Sequence, residues 1–255
     1  MFRIIRERLR QKYRTMSYPR GEPPALPHRF RGLPVLPPAP CPRGCTGCVD
    51  ACPTDALSLT RGSRLQMDLG RCVFCGDCTA ACPEKVLSFS RDYRLAVRKR
   101  EHLVLGPREL QRAEALGKDL RRLLGRALRL RQVSAGGCAA CEADANVLTT
   151  VGWDMGRFGI QFVASPRHAD GLLVTGPVTT NMRTALLKTW EAVPGPKIVI
   201  ASGACAISGG IYRGSPAVCD GVTGILPVDL FVPGCPPHPL TLLDGLLRLI
   251  GKVRG

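Results

Sequence analysis

Hydrophobic and polar positions divide the chain into segments of different texture. Phe2, Ile5 and Leu9 recur at helical spacing with arginines on the other side, which predicts an amphipathic basic helix over 1–16. Residues 17–40 are Pro-rich and extended, unable to sustain a helix. A cysteine-rich unit with short apolar pairs follows, from Cys41 to about Phe89. From Pro107, placed as Pro often is in a first helical turn, Leu110, Ala113, Leu116, Leu120, Leu123, Leu124, Ala127 and Leu128 predict a long helix, weakened by Gly117 and Gly125. After about residue 131 the pattern shifts to short apolar runs that predict buried strands at Phe158–Val163, Gly171–Thr175, Lys197–Ala201 and Val228–Val232. Helical patterns at Arg183–Glu191 and Leu240–Leu249 lie between or after them, and such alternation implies an open, mostly parallel α/β sheet. The expected organisation is a basic helix and Pro-rich arm (1–40), a cysteine-rich unit (41–93), a basic helical linker (94–132) and an α/β domain (133–255).

Charge and cysteine content narrow the function. No apolar run approaches the ~18 residues needed to span a bilayer; the best, Leu240–Ile250, is interrupted by Asp244 and Arg248. The N-terminus is basic without an apolar h-region, so a cytoplasmic address is expected. Thiols stay reduced there, and thirteen cysteines argue for metal rather than disulfides. The net charge of +16 is concentrated in residues 1–40 and 91–133, outside the cysteine-rich parts. No zinc finger, helix-turn-helix or RNP-like motif accompanies it, so nucleic acid is excluded as a partner. A membrane surface or an acidic partner subunit suits such segments better.

Two stretches align at an offset of 30 residues: Cys45-Thr-Gly-Cys48-Val-Asp-Ala-Cys52-Pro53 and Cys75-Gly-Asp-Cys78-Thr-Ala-Ala-Cys82-Pro83. With Cys72 the second reads C-x2-C-x2-C-x3-C-P. Three cysteines two residues apart wrap one 4Fe-4S cluster, and the fourth, ahead of a proline and an expected helix, ligates the neighbouring cluster. Cys41, Cys45, Cys48 and Cys82 are thus expected to hold a first cluster, and Cys72, Cys75, Cys78 and Cys52 a second. Zinc sites use two separated C-x2-C pairs instead. One departure stands out: Cys41-Pro-Arg-Gly-Cys45 has three intervening residues, and Gly44 is the place for the extra one to bulge.

Cys138-Ala-Ala-Cys141, Cys205 and Cys235 sit among glycines, and the last two follow strand-like runs, so an open parallel sheet would gather them at one edge. By spacing alone, a ligand set and a group of buried free thiols stand as alternatives. Cys219, the thirteenth cysteine, has no ligand-like neighbour and reads as a free thiol.

Four stretches carry a family resemblance: Arg157–Asp170, Thr175-Gly-Pro-Val-Thr-Thr-Asn-Met182, Ser202-Gly-Ala-Cys205-Ala-Ile-Ser-Gly-Gly210 and Val232-Pro-Gly-Cys-Pro-Pro237. Together they resemble the small subunit of membrane-bound, group 4 NiFe hydrogenases of the formate hydrogenlyase type. The related complex I subunit is similar but usually has adjacent cysteines where this chain has Cys138-x2-Cys141. The resemblance implies a flavodoxin-like fold, a third 4Fe-4S cluster on Cys138, Cys141, Cys205 and Cys235 where a flavin would otherwise lie, and a separate NiFe large subunit. Met1-Phe-Arg-Ile-Ile, Ser17-Tyr-Pro, Phe30-Arg-Gly and Cys72-Val-Phe-Cys75-Gly resemble the ferredoxin-type subunit of formate hydrogenlyase, so two normally separate neighbours look fused.

The fold class expected is therefore a ferredoxin-like α+β two-cluster domain followed by a flavodoxin-like α/β domain. The function expected is electron relay through three 4Fe-4S clusters to or from a NiFe large subunit. Membrane subunits and a formate dehydrogenase or other donor would be further partners, with the chain peripheral on the inner face of the plasma membrane. A complex I-like quinone oxidoreductase, or a related complex lacking nickel, is the alternative. Glu142 is a candidate proton relay or a helix N-terminal residue. Arg167 and His168 are candidates for tuning the third cluster or for an interface salt bridge.

Overall fold

The computed structural model describes residues 2–106, 110–124 and 127–253. The amphipathic N-terminal pattern forms α1 (Phe2–Gln11), shorter than expected and with no buried residue; Phe2, Ile4, Leu9 and the following Tyr13 are all at least 74% exposed. The Pro-rich arm runs extended to β1 (Pro34–Val35). In the cysteine-rich unit, α2 (Gly47–Asp50) is followed by β2 (Leu57–Leu59), β3 (Leu65–Asp68), α3 (Asp77–Ala80), β4 (Ser88–Phe89) and β5 (Val104–Leu105). β1 pairs antiparallel with β4, and β2, β3 and β5 form a three-stranded antiparallel sheet. The helix expected after each Cys-Pro is not there. Single helical turns precede the fourth cysteine instead and carry Cys48 and Cys78. After Pro53 the chain turns within a few residues into β2, where the alternating Leu57 and Leu59 pair with Met67 and Leu65 across the ladder.

The segment 94–132 is no helical linker. Its described helix is only α4 (Lys118–Leu124), and residues 107–109 and 125–126 of the expected helix lie outside the described residues. Upstream, backbone donors find tertiary partners rather than carbonyls one turn back: Ala113 N donates to Ala96 O (2.7 Å) and Leu116 N to Leu249 O (2.9 Å). Leu128, expected to close that helix, opens the strand β6 (Leu128–Ser134). Buried Leu128 and Leu130 alternate with Arg129 and Arg131, a period of two that the preceding leucine run masked.

The remaining elements are α5 (Ala140–Val147), β7 (Ile160–Phe162), β8 (Gly171–Thr175), α6 (Thr180–Ala192), β9 (Ile198–Ser202), α7 (Ala204–Ser208), β10 (Leu230–Val232) and α8 (Pro239–Leu249). Five strands form one parallel sheet in the order β7-β6-β8-β9-β10. β8 and β9 are buried along their whole length, as parallel strands covered on both faces must be. One face buries Leu130, Leu173, Ile200 and Leu230 with Leu148 and the leucines of α8. The other buries Val133, Leu172, Val174 and Val199 in one core with Leu186, Ile207 and the apolar side chains of the cysteine-rich unit.

Backbone pairing joins the two halves. Val97 exchanges two hydrogen bonds with Phe231 of β10 (2.9 and 3.0 Å), and the buried Ser208 hydroxyl donates to Gly70 O (2.7 Å). The arm is fastened on the opposite face. The Tyr18 hydroxyl donates to Asp244 Oδ1 (2.7 Å), while Asp244 Oδ2 pairs with Arg248 Nε (2.7 Å), all buried on α8. Burial, reinforced by Asp244, raises the Tyr18 phenol far above its ordinary range, so it remains a donor.

Asp244→Leu strands the Arg248 guanidinium without its counter-charge and is expected to cost about 3–5 kcal/mol. Tyr18→Phe leaves a buried carboxylate oxygen without its donor and is expected to cost about 1–3 kcal/mol. Guanidinium unfolding of the anaerobic chain measures both; losses below about 0.5 kcal/mol would mean that this cluster does not fasten the arm.

Candidate iron–sulfur sites

Twelve cysteines fall into three groups. The first contains Cys41, Cys45, Cys48 and Cys82, which line one apolar cavity of about 250 Å³ with Pro37, Leu65 and Leu87. The thiols of Cys41 and Cys48 are raised first by burial and then by the charges of their neighbours in this set. The extra residue after Cys41 is absorbed in a turn: Cys45 N donates to Pro42 O (3.1 Å), and Gly44 takes a left-handed φ of 79°.

Cys52, Cys72, Cys75 and Cys78 line a second, nearly filled space of about 10 Å³, closed by Ala56, Leu57, Met67 and Phe89. Backbone amides point at the sulfurs: Ala56 N donates to Cys52 Sγ (3.2 Å) and Phe74 N to Cys72 Sγ (3.4 Å). Burial pushes Cys72 up to about 12 and Cys78 to about 11, with their set-mates adding to the rise. Cys48 also raises Cys78, so the two sets are neighbours.

The third group rests on topology. Cys138 follows β6, Cys205 follows β9 and Cys235 follows β10, so parallel strand ends deliver them to one edge, with Cys141 in the first turn of α5. Burial first and then Cys205, Glu142, Cys235 and Cys138 hold the Cys141 thiol well above its ordinary range; Cys205 is pushed to about 11 by burial, Cys235 and Cys138. Gly203 makes the approach work. A Cβ there would lie 2.7 Å from Cys141 Sγ, and its φ of 94° suits no larger residue. Cys138 and Cys235 are exposed, leaving this edge open at the surface.

In each group four cysteines are neighbours, though among the described residues no three are placed to hold a single metal ion, and burial of the inner members disfavours a free thiolate there. A metal cluster resolves this, because binding exchanges the thiol protons for iron. Four thiolate donors, apolar walls and amide donors to sulfur suit a 4Fe-4S cluster.

The other candidates are placed as follows. Glu142 lies in the first turn of α5, half-buried, with its Oε1 2.6 Å from the hydroxyl of Thr175 at the end of β8. Thr175 and Ser208 had no local signal in the sequence, since each gains its partner only through the sheet. Arg167 and His168 lie on a turn, Pro166–His168, that leads into the start of β8. The cysteines follow strand ends, at the opposite edge, so the structure does not bring these two residues to them. Cys219 is half-buried, its amide bonded to Val178 O (2.8 Å), and it belongs to none of the three groups.

A dicluster unit joined to a parallel α/β domain with cysteines at its strand ends defines an iron–sulfur electron-transfer protein. Residues 138–249 match the family model described as NADH ubiquinone oxidoreductase, 20 Kd subunit, and residues 41–86 match the 4Fe-4S dicluster domain. The chain is 41% identical over 145 residues to the probable membrane-bound hydrogenase subunit mbhJ of Pyrococcus furiosus, covering 57% of this chain and 87% of that one. It is 46% identical over 120 residues to formate hydrogenlyase subunit 7 of Escherichia coli, covering 47% of each. An NADH-quinone oxidoreductase subunit of Heliobacterium modesticaldum is 43% identical over 119 residues, with 46% of this chain and 68% of that protein covered. The chain belongs to this 20 kDa-subunit family, whose members serve oxidoreductase complexes of the hydrogenase and NADH-quinone type.

Gly203→Ala is expected to displace Cys141 Sγ and lower the iron bound per chain while iron on the Cys41–Cys82 unit stays. Iron analysis alongside the same measurement on Ala204→Gly, which adds no atom, checks this; unchanged iron in Gly203→Ala would mean that the close approach is not needed.

Proposed function

We propose that the chain carries three 4Fe-4S clusters and relays electrons to or from a NiFe-hydrogenase large subunit in a membrane-associated, formate hydrogenlyase-like complex. A 4Fe-4S cluster, when bound, supplies one-electron redox chemistry at a potential set by its surroundings. Cys41, Cys45, Cys48 and Cys82 hold the outermost, Cys52, Cys72, Cys75 and Cys78 the middle one, and Cys138, Cys141, Cys205 and Cys235 the one facing the large subunit. The observation that carries this reading is the gathering of four cysteines from three strand ends at one exposed edge.

The order follows from contacts. Gly70, two residues before Cys72, accepts from Ser208, three residues after Cys205. Val73, Phe74 and Cys235 line the same cleft between the two units. These contacts set the middle group beside the third, while the Cys41 group lies beyond it, next to Cys78 through Cys48. The strand order, read from the second strand of the domain, is the 2-1-3-4-5 arrangement of flavodoxin-like sheets, with the cysteines at the carboxyl ends of the strands. Glu142, bonded to Thr175 at that edge, moves protons to and from the partner. Among the described residues no helix is long and apolar enough to cross a membrane, and attachment comes through partner subunits. A formate dehydrogenase or another low-potential donor supplies the electrons.

The Cys138-x2-Cys141 spacing favours this reading over a complex I-like quinone oxidoreductase or a related complex without nickel. Nickel and iron analysis of the purified complex separates the two, since nickel below one per large subunit removes the hydrogenase reading. For the chain itself, about twelve irons and about twelve acid-labile sulfides are expected from three clusters; four irons or fewer would overturn the architecture. Cys235→Ser is expected to remove one EPR signal from the reduced protein and leave the coupled dicluster pair.

A further inference from the structure

Arg31 is the cation placed against the middle cysteine group. Its Nη1 donates to Phe74 O (3.1 Å), the carbonyl just before Cys75. Its guanidinium also fills the space over Gly76, the residue just after: a Cβ there would stand 2.6 Å from Arg31 Nε and 2.8 Å from Cζ. Gly76 precedes α3, which carries Cys78, and its φ of 88° already excludes most side chains. The guanidinium thus lies against the loop that presents two of the four thiols. Arg31 also lines the cleft of about 320 Å³ that contains Val73, Phe74 and Cys235, so its charge faces the space between the middle and third groups.

Its base is held firmly. Gly32 N donates to Ser90 O (2.9 Å), and Leu33 exchanges bonds with Asp92 O and Ser90 N (both 2.9 Å). The nearby carboxylate of Asp92 is engaged by Arg94 and Arg112. Arg31 forms no ion pair with a described residue, so its positive charge is not cancelled by a direct partner. The acid on this loop is Asp77, two residues after Cys75 and the first residue of α3. A cation packed against Gly76 and an acid that follows it in sequence therefore share the loop that carries Cys75 and Cys78.

We propose that Arg31 is an electrostatic tuning residue that raises the reduction potential of the cluster held by Cys52, Cys72, Cys75 and Cys78. This inference rests on the ligand assignment given above. One-electron reduction by a low-potential donor adds a negative charge and makes or breaks no bond, so a cation held against the ligand loop favours the reduced form. Arg31 is exposed, and salt weakens its effect. A raised middle potential makes that group the resting place of the first electron, between the outer group and the one facing the partner.

EPR-monitored potentiometric titration of the full, anaerobically purified chain tests this on wild type, Arg31→Gln, Arg31→Lys and Asp77→Asn. Arg31→Gln is expected to keep its iron and lower the midpoint of the middle cluster more than that of the Cys41 cluster. Arg31→Lys should stay near wild type, Asp77→Asn should move the midpoint upward, and the Arg31→Gln shift should shrink at high salt. An unchanged midpoint in Arg31→Gln with full iron overturns the proposal. So does an equal shift in Arg31→Lys and Arg31→Gln, or loss of iron from Arg31→Gln alone, which would make the contact structural. Absence of iron from the middle group in the wild type would instead sink the ligand assignment.

Discussion

Everything in this protein depends on how firmly the dicluster unit is seated on the parallel sheet. Two contacts do most of that: the backbone pairing of Val97 with Phe231, and the buried hydrogen bond from Ser208 to Gly70. Both lie between residues far apart in sequence, and Phe231, Gly70 and Ser208 each lie within a few residues of a cysteine, so they convert a covalent tether into a fixed distance. Electron transfer needs that fixed distance more than it needs any reactive side chain. A shared core with Ile207, Val133 and Leu172 on one side and Met67 and Leu69 on the other makes the seam continuous with the interior of both halves.

Within that frame, burial sets the chemistry. Burial holds the inner thiols, Cys48, Cys72 and Cys141 among them, above their ordinary range, and a metal that binds there must displace their protons. Backbone amides aimed at Cys52 and Cys72 then temper the charge once thiolates form. The cation at Arg31 and the acid at Asp77 act on the same loop from outside the apolar wall. Amides, cation and acid are separate means of adjusting one potential, and they are spaced so that each can be altered alone.

The basic segments serve different ends. Arg98 and Arg100 are woven into the seam, with Arg100 bonded to both oxygens of Asp68 and Arg98 to Asp229 O. The arm is also structural, through the Tyr18 hydroxyl on Asp244. Only α1 stands apart, with its apolar side chains exposed and arginines around them.

That the eight N-terminal cysteines line two separate cavities was legible in the sequence because three of each four are local and the fourth follows from the repeat at an offset of 30 residues. The strands β8 and β9 and the helices α6 and α8 were legible too, since fully apolar runs and 3.6-residue periods survive any context. The strand β6 was not, because its Leu–Arg alternation is only seven residues long and continues a leucine-rich helical pattern. The absent helices after Pro53 and Pro83 failed for the same reason, a few residues being too short to show a period. For the C-terminal cysteines the sequence alone left ligands and free thiols as alternatives, and resemblance to a family supplied the set. The tertiary structure decided their convergence, because parallel strands carry residues 138, 205 and 235 to one edge across separations that no local pattern spans. It also decided against Arg167 and His168, which follow a strand in sequence yet lie where the next strand begins. What the chain determined by itself was chemistry with short reach: thiols at cluster spacing and apolar periods. What only folding decided was which distant groups share a place, since that depends on strand order and on buried hydrogen bonds between segments that the sequence keeps far apart.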